Sequence, residues 1–323
     1  MTEFLMGGGP HGSVATAAGI ATAAGHHGHH LKAIGLSLLV IVVVIAIVIV
    51  VVMAARRRRR GRRARSSRRA GRDAGASPQA RAAAIAAVSL SRSYQMGKVE
   101  VLALDEVSTE IAAGQMVCIM GRSGSGKSTL LRQLGLIDEP TAGSVWLGGR
   151  EVTSLPEHQR SALRLRRLGY VFQEYALVPE LTAIENVCLP MLMTGQPLRR
   201  CRARAAEVLE TVGLGHRARH RPREMSGGEQ QRVAIARALA NKPDIIFADE
   251  PTASLDSASA ATVMDTLRRL NTTLGVTVVF VSHDPADAQY ATRLIYLADG
   301  RLSEAADHKA AVPAGAQQNG ARS

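Results

Sequence analysis

Residues 121 to 128, Gly121-Arg-Ser-Gly-Ser-Gly126-Lys127-Ser128, combine glycines with a lysine and a hydroxyl at the spacing that grips a phosphate chain. Glycine lets consecutive backbone N–H groups close around an anion, and a helix starting behind them adds the positive end of its dipole. An apolar run from Met116 to Met120 precedes the segment and a helix-forming run from Thr129 to Leu136 follows it. Strand, loop and helix therefore come in the order a phosphate-binding loop needs. Gly121, Ser123, Gly124, Gly126 and Thr129 are candidate phosphate contacts, Lys127 is suited to the β- and γ-phosphates, and Ser128 offers a hydroxyl to Mg2+. A bare run of glycines reads as turn chemistry; the full pattern with lysine and serine does not.

Downstream, the apolar Ile245, Ile246, Phe247 and Ala248 end in Asp249 and Glu250, which sets two carboxylates at the tip of a buried strand. Beside a bound nucleotide, Asp249 is suited to hold Mg2+ and Glu250 to orient or deprotonate an attacking water. Catalysis then rests on positioning and electrostatics at the γ-phosphate. Between the two motifs stands Met225-Ser226-Gly227-Gly228-Glu229-Gln230-Gln231-Arg232, followed by the helix-forming Val233 to Ala240. Ser226 and Gly227 at a helix N-terminus make a second anion-binding end.

This third motif resembles the signature sequence of the ABC-type ATPases, and it stands just ahead of the two carboxylates, as in that family. The resemblance covers roughly residues 86 to 303 and takes in Tyr94-Gln-Met-Gly, Leu181-Thr-Ala-Ile-Glu-Asn-Val and Glu229-Gln-Gln-Arg. These are similar to the lipoprotein-releasing and macrolide-exporter branch. The resemblance implies an α/β P-loop NTPase of ABC type, with a RecA-like core and a helical subdomain, that hydrolyses ATP with Mg2+. It implies a homodimer in which Ser226, Gly227 and Gly228 of one subunit close on the ATP held by the P-loop of the other. It further implies that Tyr94 stacks on adenine, Gln173 senses Mg2+ and couples to a membrane partner, Asp256 belongs to the nucleotide site, and His283 contacts the γ-phosphate. Departures from the family pattern are Met225 for the usual Leu, Ala253-Ser254 for Gly-Asn, and Ser282 for the frequent Thr. None of them removes a phosphate or metal contact.

The elements that must position these groups alternate, strand-like runs with helical ones, which points to an α/β domain with a mainly parallel sheet over residues 85–303. Residues 1–32 are rich in Gly, Ala and His and read as a flexible tail. From 33 to 55 every residue is apolar or small, about 23 in a row, and at 1.5 Å per residue such a helix spans ~34 Å, enough to cross the hydrocarbon core. Residues 56–84 form an Arg-rich juxtamembrane linker, and 304–323 a disordered tail.

Charge follows the same division. Of 40 Lys and Arg and 27 Asp and Glu, residues 1 to 72 hold 12 basic residues and only Glu3 among the acids, leaving a nearly neutral remainder. A neutral body argues against a nucleic-acid-binding surface, and no nucleic-acid partner is expected. Arg56 to Arg72 against a lone Lys32 puts the Arg side in the cytoplasm, with anionic lipid as its expected contact. Cys118, Cys188 and Cys201 lack CxxC spacing, so neither a disulfide framework nor a zinc site is indicated.

Two functions are compatible with these motifs. One is the ATPase subunit of an exporter that moves an amphiphile, lipoprotein or drug through a separate permease, anchored in the plasma or inner membrane by its single span. The other is the ATPase of a non-transporting regulator of extracytoplasmic cell-wall hydrolases. Motifs in an ATPase cannot separate them, because the partner selects the substrate.

Overall fold

The computed structural model describes residues 83–97 and 99–303. The expected tail 1–32, span 33–55, linker up to residue 82 and tail 304–323 lie outside the described residues. Among the described residues no helix is long and apolar enough to cross a membrane.

Two sheets carry the domain. β1 (Ile85–Met96) pairs antiparallel with β2 (Val99–Ile111) and with β4 (Ala142–Leu147), and β5 (Arg150–Glu151) extends this sheet in the order β2-β1-β4-β5. The second sheet runs β10-β9-β3-β8-β7-β6, with β3 Met116–Met120, β6 Leu168–Val171, β7 Ile245–Asp249, β8 Thr277–Val281, β9 Arg293–Ala298 and β10 Arg301–Leu302. Its inner pairings are parallel and only β10 is antiparallel. The mainly parallel sheet expected from the sequence is thus one of two sheets. The runs of β1 and β2 join by a short turn, which antiparallel pairing permits and parallel pairing does not.

β3 and β8 are buried along their whole length, as befits central parallel strands covered on both faces. Alternation decides which layer each side chain enters. Val117, Ile119, Phe247 and Val279 face a core shared with the antiparallel sheet and with Leu130, Leu131 and Leu134 of α1 (Lys127–Leu134). Met116, Cys118, Ile246, Val278 and Phe280 face a second core filled from helices. Those helices are α3 (Ala183–Met193), α4 (Leu198–Thr211), α5 (Gly227–Leu239) and α6 (Ser257–Leu274). Among the described residues the remaining α-helices are α2 (Glu157–Arg167), on the β5 to β6 connection, and the short α7 (Pro285–Ala288).

Helix boundaries shift from the sequence reading in two places. α1 begins at Lys127, inside the phosphate loop, and stops at Leu134, because Leu136 takes a φ of 58° that no helix accepts. α5 begins at Gly227, inside the signature, because Ser226 caps it. In both cases the motif supplies the first turn of the helix as well as the loop before it.

Candidate active site

The sheet order brings the chemistry together. β8 lies between β3 and β7, so the loops leaving the C-terminal ends of these three parallel strands emerge side by side, where open α/β sheets bind ligands. The end of β3 carries the phosphate loop, the end of β7 carries Asp249 and Glu250, and the end of β8 carries His283.

Gly126 occupies φ 99°, and a Cβ there would stand 2.3 Å from the carbonyl oxygen of Ala103. Glycine is required both by the backbone angle and by this close approach. It is also the N-cap of α1, with no side-chain cap, so the first N–H groups of that helix are left for another acceptor. Lys127 is 6% exposed, and its Nζ donates to the carbonyl oxygen of Arg122 at 2.9 Å across the loop. Ser123 and Gly124 are exposed, whereas Ser128 and Thr129 are half-buried.

Ser128 Oγ donates to Asp249 Oδ1 at 2.8 Å, joining the two motifs directly. Burial raises the Asp249 carboxyl above its ordinary pKa, the Ser128 bond pulls it down, and the Glu250 charge pushes it up again. A hydroxyl and a carboxylate held together in this state are hard oxygen donors whose charge a divalent cation would relieve, so the residues fit Mg2+. Glu250 stands at φ 46°, outside the conformation its side chain prefers, and its backbone N–H donates to the Val281 carbonyl at 3.2 Å. Its Oε2 lies 3.5 Å from Nδ1 of His283, which is exposed on its other side.

The remaining sequence candidates lie around this cluster. Gln173 follows β6 and is exposed, with no side-chain hydrogen bond to any described residue. Its loop is held by Arg237 of α5, whose guanidinium donates to Tyr175 O at 2.9 Å and to Ala176 O. Tyr94 donates its hydroxyl to Asp138 at 3.5 Å, and Arg92 lies 4.6 Å above its ring. One ring face is therefore occupied by a cation–π contact.

Ser226 forms a capping box with Glu229: Ser226 N–H donates to the carboxylate at 2.8 Å, and Ser226 Oγ accepts from Glu229 N–H at 3.2 Å. A Cβ on Gly227 would lie 2.8 Å from the Tyr175 hydroxyl, and Gly228 packs against Ser259. The signature thus abuts the Gln173 loop, and no hydrogen bond among the described residues links it to the phosphate loop of the same chain. Met225 is buried, filling with a flexible apolar side chain the place of the more usual leucine. Asp256 caps α6, accepting from Ser259 and Ala258 N–H groups that hold its carboxyl below the usual range.

Three groups beside the site escaped sequence reasoning: Arg237, the Arg92 stack, and the buried Asp287, which accepts from Thr252 and Ser282. No local pattern marks Arg237 or the Asp287–Thr252 bond, whose partners lie more than thirty residues away. Arg92 stands two residues from Tyr94 on β1, but a register shift between Arg92 and Ser93 breaks the two-residue period there, so spacing did not mark the pair. A cavity of about 760 Å³ lined by Arg167, Arg204, Lys242 and Leu274 lies at the opposite ends of β7 and β8 and shares no residue with the cluster.

A phosphate-gripping loop, a paired carboxylate and an ABC signature on this sheet order define a P-loop nucleotide hydrolase. Residues 104–253 match the ABC transporter family. The lipoprotein-releasing system ATP-binding protein LolD of Pseudomonas fluorescens is 48% identical over 213 residues, covering 66% of this chain and 94% of that protein. The protein of the same name from Xanthomonas campestris is 45% identical over 225 residues, 70% of this chain and 94% of its own. Among solved structures, the dimeric ATP-binding cassette MJ0796 bound to ADP and Pi aligns with a TM-score of 0.64 and 42% identity, over 68% of this chain and 97% of the cassette. The chain belongs to the ABC transporter family, as an ATP-binding and ATP-hydrolysing subunit.

Proposed function

We propose that the protein powers release of lipoproteins, or amphiphiles like them, from a membrane through a separate permease. Identity close to one half along nearly the whole length of the lipoprotein-releasing relatives is the observation that carries this reading. The same likeness disfavours a role limited to regulating cell-wall hydrolases.

In this reading two chains sandwich two ATP molecules, a mode supported by the dimeric form of the similar cassette. Lys127 and the N–H groups of the loop from Gly121 to Thr129 hold the phosphates, and Tyr94 stacks on adenine with the ring face that Arg92 leaves free. Ser128, Asp249 and Gln173 hold Mg2+, which when bound neutralises charge developing on the phosphate oxygens. Glu250 orients the attacking water and takes its proton, and His283, 3.5 Å away, contacts the γ-phosphate and the carboxylate together. Ser226, Gly227 and Gly228 close on the partner's nucleotide, with Asp256 at the same seam. Because no hydrogen bond among the described residues joins the signature to the phosphate loop of its own chain, in this reading closure of the dimer completes each site.

The apolar stretch from 33 to 55 anchors the chain in the membrane, and the arginines from Arg56 to Arg72 keep the ATPase domain on the cytoplasmic side, beside anionic lipid. Replacing Arg56 to Arg63 by Ser is expected to weaken or invert that orientation; unchanged topology would remove the anchor reading.

The test of the whole proposal is affinity purification of full-length Glu250→Gln protein from native membranes with ATP. A stoichiometric multi-span permease supports it. Recovery of the ATPase alone, or with a cell-wall hydrolase complex, overturns it.

A further inference from the structure

We propose that Asp287 is a positioning residue of the ATPase site, clamping the loop that carries Glu250 to the loop that carries His283. The side chain lies on the short helix α7 and is 4% exposed. Its Oδ2 accepts from Thr252 Oγ1 at 2.6 Å and from Ser282 Oγ at 2.7 Å. Thr252 stands two residues beyond Glu250 at the exit of β7, and Ser282 immediately precedes His283 at the exit of β8. One carboxylate oxygen therefore bridges the exits of two adjacent parallel strands.

The bridge is itself held. Ser282 Oγ accepts from Asp284 N–H at 3.0 Å, and Asp284 caps α7 by accepting from Ala286 N–H at 2.8 Å. Among the described residues Asp287 forms no ion pair, so a buried carboxylate is retained here on hydroxyl donors alone. Such a group is costly to bury unless those bonds are made. Burial, and secondarily the Asp287 charge, push the Cys118 thiol up to about 12.

The clamp has something to hold. Glu250 sits at φ 46°, and a residue in that region persists only where its surroundings over-determine it. With Thr252 pinned on one side and the Val281 carbonyl accepting from Glu250 N–H at 3.2 Å on the other, the Glu250 side chain is fixed 3.5 Å from His283. An apolar side chain at position 287 would fill the space but would let the two loops slide. This inference rests on the roles proposed above for Glu250 and His283.

The experiment is steady-state ATP hydrolysis by the full-length protein carrying Asp287→Val, Asp287→Asn, Thr252→Val, or Asp287→Val with Thr252→Val, beside Glu250→Gln. Asp287→Val and Thr252→Val are expected each to lower kcat roughly 10-fold with KM for ATP within about 3-fold, because the loss falls on the positioned base rather than on binding. The double variant is expected to be no slower than Asp287→Val, as for partners in one network. Asp287→Asn keeps an acceptor oxygen and is expected to restore most of kcat. Parent kcat in folded Asp287→Val, a loss confined to KM, or multiplying effects in the double variant would overturn the clamp. Should Asp287→Val not fold, Thr252→Val and Ser282→Ala each remove one donor and carry the same test. If Glu250→Gln is inactive while Asp287→Val runs at the parent rate, the clamp alone fails. A Glu250→Gln protein at the parent rate removes the role of Glu250 itself.

Discussion

Ser226 caps α5 and, in the proposed sandwich, also faces the partner's nucleotide; two substitutions tell the two roles apart. As N-cap of the 13-residue α5 it accepts from Glu229 N–H at 3.2 Å, and loss of such a cap costs about 0.5–2 kcal/mol. Ser226→Ala deletes this bond but keeps the reciprocal one at 2.8 Å and the Arg217–Glu229 ion pair at 2.9 Å. The cost therefore falls near the middle of the range, about 1 kcal/mol, or roughly 2–4 °C in Tm for a domain of this size. Ser226→Asp retains a cap acceptor and places a negative charge at the positive end of the helix, so its Tm without nucleotide should equal that of the parent. In the proposed sandwich the same carboxylate would face the partner's γ-phosphate. Two like charges ~4 Å apart repel by ~1 kcal/mol in water and ~4 kcal/mol at an effective dielectric of about 20, so ATP-dependent dimerisation should weaken at least about 5-fold. The assay is thermal unfolding without nucleotide, then light scattering with ATP in the Glu250→Gln background. If the Ser226→Asp protein dimerises with ATP like its parent, the sandwich role is refuted, and an unchanged Tm in the Ser226→Ala protein refutes the capping account.

Gly126→Ala would force a side chain into φ 99° and against the Ala103 carbonyl; the left-handed backbone alone costs roughly 1–2 kcal/mol. ATP affinity measured by titration calorimetry should fall at least about 10-fold, and unchanged affinity would contradict the close approach. At Glu229, burial raises the carboxyl pKa, but the Ser226 N–H bond and the Arg217 charge outweigh it and leave the group below its usual value. A depressed folded pKa gives stability that is complete above the unfolded value near about 4.3 and is lost as pH falls through the folded one. Glu229→Gln should accordingly be less stable than the parent at about pH 7 and lose less Tm between about pH 5 and 3; parallel Tm curves would refute this. Burial first, and then the Cys201 neighbour, pushes the Cys188 thiol up to about 11, and all three cysteines are buried. Folded protein at about pH 8 should resist a colorimetric thiol reagent while unfolded protein reacts at all three, and rapid native labelling would show that burial is wrong.

Much of the site was legible because its parts are local. The run from Gly121 to Ser128 needs only a tight turn into a helix, and the Ile245 to Glu250 segment needs only a buried strand that ends in charge. Each declares itself by residue type and short spacing, and the signature adds a cap whose partner, Glu229, lies three residues on. The resemblance these motifs carry extended the reading to a family and a nucleotide.

Tertiary structure decided the rest. Only the order β3-β8-β7 sets His283 beside Glu250 and lets Ser128 reach Asp249 across 121 positions of chain. Only the packing of α5 shows Arg237 holding the Gln173 loop through Tyr175 and Ala176. The antiparallel sheet escaped detection because β1 is interrupted by register shifts and β2 is exposed along its first residues, which blurs the two-residue period. Asp287 had no signal at all, since an acid in a short Asp-Pro-Ala-Asp turn reads as a solvated cap until Thr252 and Ser282 are seen to donate to it. Residue type and spacing determine what chemistry a segment can do. Which segments meet is settled by burial on both faces of the parallel sheet, a property of the whole chain rather than of any window along it.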